Sequence, residues 1–300
     1  MSEKEIKNDE KTDSQKLTER EVERNEEDKD FTPVILKRTD ESLRHPDDIL
    51  ENAILEGLEQ LKRPTLSLFL SSLAAGLILG FTAMSVAVVE THSLGMSQSY
   101  FARMATALVY PLGFVLCIMS GTQLFTEHTA TAVYPVLDRR GSIMALFRLW
   151  LIVILGNLGG SFVSSGLLVS VDEVVHARAG YIEIGQHLVN FSSGSLFVSA
   201  VLAGWLMALG AWLVMATQPT LSQIISIYIV TFIIGLGDLH HSIAGSVEIF
   251  TAYLISDQFL FSQVSEFIGI ALFGNMIGGS IFVALLNYGH IRKTQRKNGD

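Results

Sequence analysis

An all-α polytopic membrane protein is the fold class this 300-residue chain predicts: six transmembrane spans, a 3+3 inverted repeat, and broken second and fifth helices. Three observations carry that expectation. Charge is split unevenly: 19 of the 30 acidic and 12 of the 21 basic side chains lie in residues 1–63, leaving 11 and 9 for the other 237. Soluble domains carry charge at about a quarter of their positions, so the larger part of the chain is too apolar for an ordinary soluble enzyme. Apolar runs long enough to cross a bilayer, about 20 residues each, recur from Leu66 onward. Finally, the apolar part reads as one unit written twice, and the second and fifth runs carry polar residues in mid-run.

In chain order, residues 1–45 form an acidic cytoplasmic arm. Its first 31 residues are rich in Glu, Lys, Asp and Asn, with almost nothing to bury, so disorder is expected. Residues 46–63 differ, because Leu50, Ile54, Leu58 and Leu61 recur at helical spacing behind Asp47 and Asp48 at the helix start. That pattern predicts an amphipathic helix lying on the membrane body or against a neighbouring subunit. The body, residues 64–290, holds spans at about 66–92, 105–136, 143–170, 194–217, 220–255 and 264–288. Residues 291–300 form a basic tail. The first span follows a long hydrophilic arm, which argues against a cleavable signal peptide. Lys62, Arg63, Arg139, Arg140, Arg148 and the bases after Ile291 fall on one face, against Arg103 and Arg178 on the other. The positive-inside bias therefore places both termini in the cytoplasm of a multi-pass plasma-membrane (bacterial inner-membrane) protein. The net charge of −9 argues against a nucleic-acid partner. The single cysteine, Cys117, excludes a disulfide framework and a cysteine-based zinc site.

The repeat shows in matched motifs. GNLGGSF (156–162) in the third span is echoed by GNMIGGSIF (274–282) in the sixth, and LAAGLILG (73–80) by LAGWLMALG (202–210). The long second run is interrupted at GTQLFTEHT (121–129) and the fifth at GLGDLHHS (235–242). Three spans per unit is odd, so the second copy must enter the membrane inverted, and a discontinuous helix in each half is a transport architecture. Non-helical backbone at membrane depth persists only where protein or a water-filled cavity satisfies it. Two breaks meeting near the midplane imply a pore or substrate site. The glycine-rich runs are read as close helix packing rather than phosphate cradles, since no strand precedes them.

Glu127, His128, Asp238, His240, His241 and Glu248 are ionisable groups inside or beside these breaks. Facing lipid they are costly, so they are expected to face a cavity or each other. Seven residues separate His241 from Glu248, about two turns, which places both on one helix face. Asp238 is suited to bonding backbone exposed at the break.

YPLGFVLCIMSGTQLFT (110–126), LGDLHHSIAG (236–245) and GNMIGG (274–279) resemble the formate/nitrite transporter family, over about residues 45–290. The resemblance implies an aquaporin-like fold and a homopentamer with one pore per subunit. It also implies passage of a small weak-acid anion such as formate, nitrite, hydrosulfide, acetate or lactate. Thr126 then matches the threonine of a mobile loop and His241 the central pore histidine. Tyr110, Phe114 and Phe125 match constriction positions on one side of that histidine, and Ile234 the position on the other. An anion entering low dielectric loses more hydration than one hydrogen bond returns. Apolar rings around a donor histidine and a threonine hydroxyl therefore select by dehydration.

The chain departs from the family pattern in two places. The vestibule lysine expected at the start of span four is Leu188, beside His187, and no lysine occurs between Lys62 and Lys293. An asparagine expected in the second half of span five is Gly245. With His187 as a partial substitute and added acids near the pore, an alternative is a pore for a neutral or cationic solute. A metal-dependent intramembrane enzyme is disfavoured, because no HExxH occurs and no ExxH lies within an expected span. A closed sensor or scaffold is a further reading. No enzyme activity, cofactor or metal is expected; the expected partners are further copies of the chain, a small anion or weak acid, and the lipid bilayer.

Overall fold

The computed structural model describes residues 44–94 and 99–298, so the expectations for the arm, residues 1–31 above all, fall outside the described residues. Among the described residues there are helices and no strand. Among the described residues, six apolar helices are long enough to cross a membrane: Thr65–Ser93, Tyr100–Met119, Ile143–Ser170, Ser193–Ala216, Thr220–Gly237 and Phe261–Lys293. We call these spans one to six.

The helix Pro46–Lys62 precedes them. Proline at its first position, Asp47 and Asp48 in its first turn, and His45 Nδ1 accepting the Asp47 N–H favour its start. Leu50, Ile54 and Leu61 are buried in the chain's own core. A Cβ on Gly57 would lie 2.8 Å from the Pro135 side chain. The apolar face is thus covered by this chain's body, rather than left for a neighbouring subunit.

Three boundaries differ from the sequence expectation. Span two starts at Tyr100 instead of about 105, because its polar end is held by protein: Arg103 Nε donates to the Leu236 carbonyl and Thr106 Oγ1 to Glu90. The region between spans three and four, outside any expected span, contains helices Asp172–Val175 and Arg178–Val189. The second of these is too short and polar to register as a span. It packs through Gly180, whose N–H donates to Thr91 Oγ1, and through Gly185 against Ala252. Leu188 therefore belongs to this helix, not to the start of span four. The sixth helix, through a π-helical stretch at Gly278–Leu285, runs on to Asn298 and takes up most of the expected basic tail.

Span two ends at Met119. Residues 120–124 are non-helical and a half-helix, Phe125–Thr131, follows. Gly121 has φ +68°, the left-handed conformation that favours glycine. The expected break at 121–129 is thus shorter. Thr126, Glu127 and His128 stand on the half-helix rather than in a loop. Span five ends at Gly237, residues 238–241 are non-helical, and a second half-helix, Ser242–Ile255, continues.

Two asparagines hold these breaks in matching fashion. Asn157 Oδ1 accepts the Phe125 N–H (2.9 Å), and its Nδ2 donates to the carbonyls of Gln123 (2.9 Å) and Ser72 (2.8 Å). Asn275 Oδ1 accepts the Ser242 N–H (2.7 Å), and its Nδ2 donates to the carbonyls of His240 (3.0 Å) and Ala200 (2.7 Å). Both are fully buried, and each ties a break to the span beside it. Spans one and three, and spans four and six, approach closely enough for this because of glycine. A Cβ on Gly76 would collide with the Asn157 backbone, and one on Gly204 with that of Asn275. Each outer span also reaches the other half-helix: Ser165 Oγ donates to the Val247 carbonyl and Ser280 Oγ to that of Thr129.

Candidate functional site

Thr126 and His241 meet where the two half-helices begin, with Thr126 Oγ1 2.9 Å from His241 Nε2. Both side chains are buried. His241 is the N-cap of Ser242–Ile255, and its Nδ1 accepts the Ala244 N–H at 3.1 Å. That contact fixes the tautomer by inference: Nδ1 is the bare nitrogen, so Nε2 carries the hydrogen and donates to Thr126. The Thr126 hydroxyl hydrogen is then left to point elsewhere. Protonating Nδ1 would set two N–H groups against each other and break the cap, so this geometry belongs to the neutral ring.

Apolar rings surround the pair. The Phe114 ring stands edge-on to the His241 imidazole at 4.9 Å, and Tyr110 lies 5.2 Å from Phe114. Phe125 packs instead on Trp150, at 6.4 Å, and Trp150 Nε1 donates to the His128 carbonyl.

Two cavities, each of about 260 Å³, approach from opposite ends of span one and share no lining residue. The first reaches Glu90, in the last turn of span one, and is lined by Tyr110, Ile234, His187, Leu188 and Glu248 among others. The second reaches Arg63, just before span one, and is lined by Glu56, Gln123, Glu127 and His128. One expectation differs: the resemblance puts Tyr110 and Ile234 on opposite sides of His241, whereas here they line the same cavity; Phe125 lines neither of the two. The side a ring faces depends on helix rotation, which a motif does not give.

The ionisable groups divide accordingly. Glu127 and His128 belong to the second cavity; Asp238, His240, His241 and Glu248 line the first. Asp238 adopts the left-handed conformation (φ 55°), ending span five, and bonds His187 rather than backbone at the break. His187 therefore has its charge, when protonated, beside a carboxylate. This makes it a weak substitute for a free vestibule lysine. The hydrogen bond to Asp238 raises the His187 pKa above its ordinary value against the opposing effect of burial. In the second cavity, burial raises the Glu56 carboxyl above its usual range, and Glu59 adds to it. His240 is held by Ser199, whose Oγ lies 2.7 Å from its Nδ1. Among the described residues, no group of three or more His, Cys, Asp or Glu side chains is placed to hold a metal ion.

Asn157 and Asn275 form both break clamps, yet as sequence they stand out only as parts of packing motifs. A signal is present nonetheless: each is the polar residue of its repeated GN motif, 118 residues from the other.

A family model described as formate/nitrite transporter matches residues 47–289. Inner membrane protein YfdC of Escherichia coli (strain K12) is 32% identical over 251 residues, covering 81% of this chain and 78% of that protein. The probable formate transporter of Methanothermobacter thermautotrophicus is 27% identical over 250 residues, covering 75% and 89%. Among solved structures, an FNT family ion channel superposes with a TM-score of 0.73 at 18% identity, covering 81% of this chain and 99% of that one. A pentameric formate channel with formate bound superposes with a TM-score of 0.64 at 19% identity, covering 75% and 96%.

Proposed function

The chain belongs to the formate/nitrite transporter family, and from that premise we propose that it is a homopentameric pore for a small weak acid or its monovalent anion, one pore per subunit. The observation that carries this reading is the Thr126–His241 contact between two cavities that approach from opposite ends of span one. A solute crossing from one cavity to the other meets the free Thr126 O–H, the His241 N–H once it turns from Thr126, and otherwise the rings of Phe114 and Tyr110. Water and hydrated metal cations find too few partners there, while a small acid or anion that sheds its water keeps donors. Phe125 and Ile234 complete the apolar lining in this reading. A relative named as a probable formate transporter, and a structural neighbour that is a formate channel with formate bound, support that substrate class.

Two finer readings accompany it. The matched Asn157 and Asn275 clamps support a 3+3 inverted repeat. The placement of Arg63, Arg140 and Arg148 at the end where the second cavity opens supports cytoplasmic termini.

Flux into proteoliposomes of formate, nitrite, acetate, hydrosulfide, ammonium and glycerol across pH tests the proposal. Formate-class flux should rise on acidification and fall in His241→Asn. Glycerol or ammonium flux without formate flux would overturn the substrate class, and equal flux in the variant would remove His241 from the mechanism.

A further inference from the structure

The second cavity contains hydrogen-bonding capacity that the fold does not use. His128 is 4% exposed, lines this cavity, and has neither ring nitrogen partnered; Gln123, 5% exposed, lines it too and leaves Oε1 unpartnered. Buried polar atoms are nearly always satisfied, so orphans gathered around one cavity point to a ligand. The charged and titratable groups facing it come from two elements: Glu56 and Arg63 from the surface helix and its end, and Glu127 and His128 from the first half-helix; Cys117 is buried behind Thr122 and does not line it.

The lining selects by charge. An anion would face the carboxylates of Glu56 and Glu127. A cation would face the Arg63 guanidinium and the one N–H that a neutral His128 must present. A neutral ligand with one O–H donor and one carbonyl-type acceptor suits both sets, donating to Glu127 or Gln123 Oε1 and accepting from His128 or Arg63. An undissociated small oxyacid has that pattern.

Building on the weak-acid reading above, we propose that the second cavity docks the undissociated acid and that Glu127 takes its proton there. The acid's O–H bond breaks, its electron pair stays on the departing anion, and a new O–H bond forms on the Glu127 carboxylate. The proton then passes to water at the mouth beside Glu56, restoring the carboxylate, and nothing is oxidised or reduced. For movement the other way the same steps run in reverse.

The test uses the full chain in proteoliposomes with formic acid as probe, and two readouts. Infrared difference spectra on adding formic acid should show a protonated-carboxyl band that is lost in Glu127→Gln and kept in His241→Asn. Proton movement coupled to formate, followed with an internal pH dye, should fall at least about tenfold in Glu127→Gln and recover in part in Glu127→Asp. Should Glu127→Gln fail to assemble, Gln123→Met should weaken the formic-acid response by about the same factor. An unchanged band, or unchanged coupled proton movement in an assembled Glu127→Gln, overturns the proposal. A band that follows Glu127 in a wild-type protein that moves no formate supports the docking site while overturning the transport reading.

Discussion

His241 and Thr126 are joined by a hydrogen bond whose direction is set from the far side of the imidazole, where Nδ1 caps the second half-helix. One ring thus has a capping nitrogen and a nitrogen that faces Thr126, and substitutions can separate them. His241→Asn retains a good N-cap and should melt within a few tenths of a kcal/mol of wild type. His241→Ala should lose about 0.5–2 kcal/mol. Both should reduce formate flux by at least about tenfold, because both lose the Nε2 donor. Flux that follows the cap rather than the donor would contradict the split.

The asparagine clamps make a second prediction. Asn157→Leu and Asn275→Leu each orphan one N–H and one carbonyl at a buried break, and remove the bond that ties the break to a carbonyl of the neighbouring span. Each unsatisfied group costs about 1–3 kcal/mol, so both variants should be severely destabilised in thermal melts, and to a similar extent. A mild effect at either position would mean that water or a local shift replaces the side chain.

The His187–Asp238 pair gives a pH dependence of known sign. Its partner raises the folded-state pKa of His187, above the unfolded value of about 6.5. While Asp238 stays ionised, the contribution of the His187 proton is therefore fully present below about pH 6.5 and is lost as pH rises through the raised value. Both side chains are partly exposed, so the effect is small. Melting temperatures of wild type and His187→Gln should differ most in mildly acidic buffer and converge in alkaline buffer. The opposite trend would show that the pair does not hold the proton.

Gly245 gives a steric prediction. A Cβ there would lie 2.6 Å from Cζ of Phe267, so the asparagine that the family resemblance suggests at this position has no room. Gly245→Asn should destabilise the chain by about 1–3 kcal/mol. Adding Phe267→Leu should recover part of that loss, as read in a double-mutant cycle of melting midpoints.

Six spans and two interrupted runs are legible in the sequence because hydropathy and length decide them locally. The surface helix is legible because its apolar residues keep one period, from Leu50 to Leu61. The helix Arg178–Val189 is not, since it buries Gly180, Tyr181 and Gly185 and shows neither a span nor a clear stripe. The family resemblance matches Thr126 to the threonine of a mobile loop, whereas here it stands on the half-helix Phe125–Thr131. What restarts the helix at Phe125 is Asn157, 32 residues away, and no local pattern reveals that. The grouping of Tyr110 with Ile234 likewise depends on how span two is rotated against span five, which is a tertiary fact.

A break in a membrane helix is commonly kept soluble by the water of the channel it lines. Here Asn157 and Asn275 take over that solvent's role at the Phe125 and Ser242 amides and at the Gln123 and His240 carbonyls. The space around these breaks can therefore empty of water without leaving those groups unbonded. Under the proposed function, drying the pore and keeping it folded become separate demands.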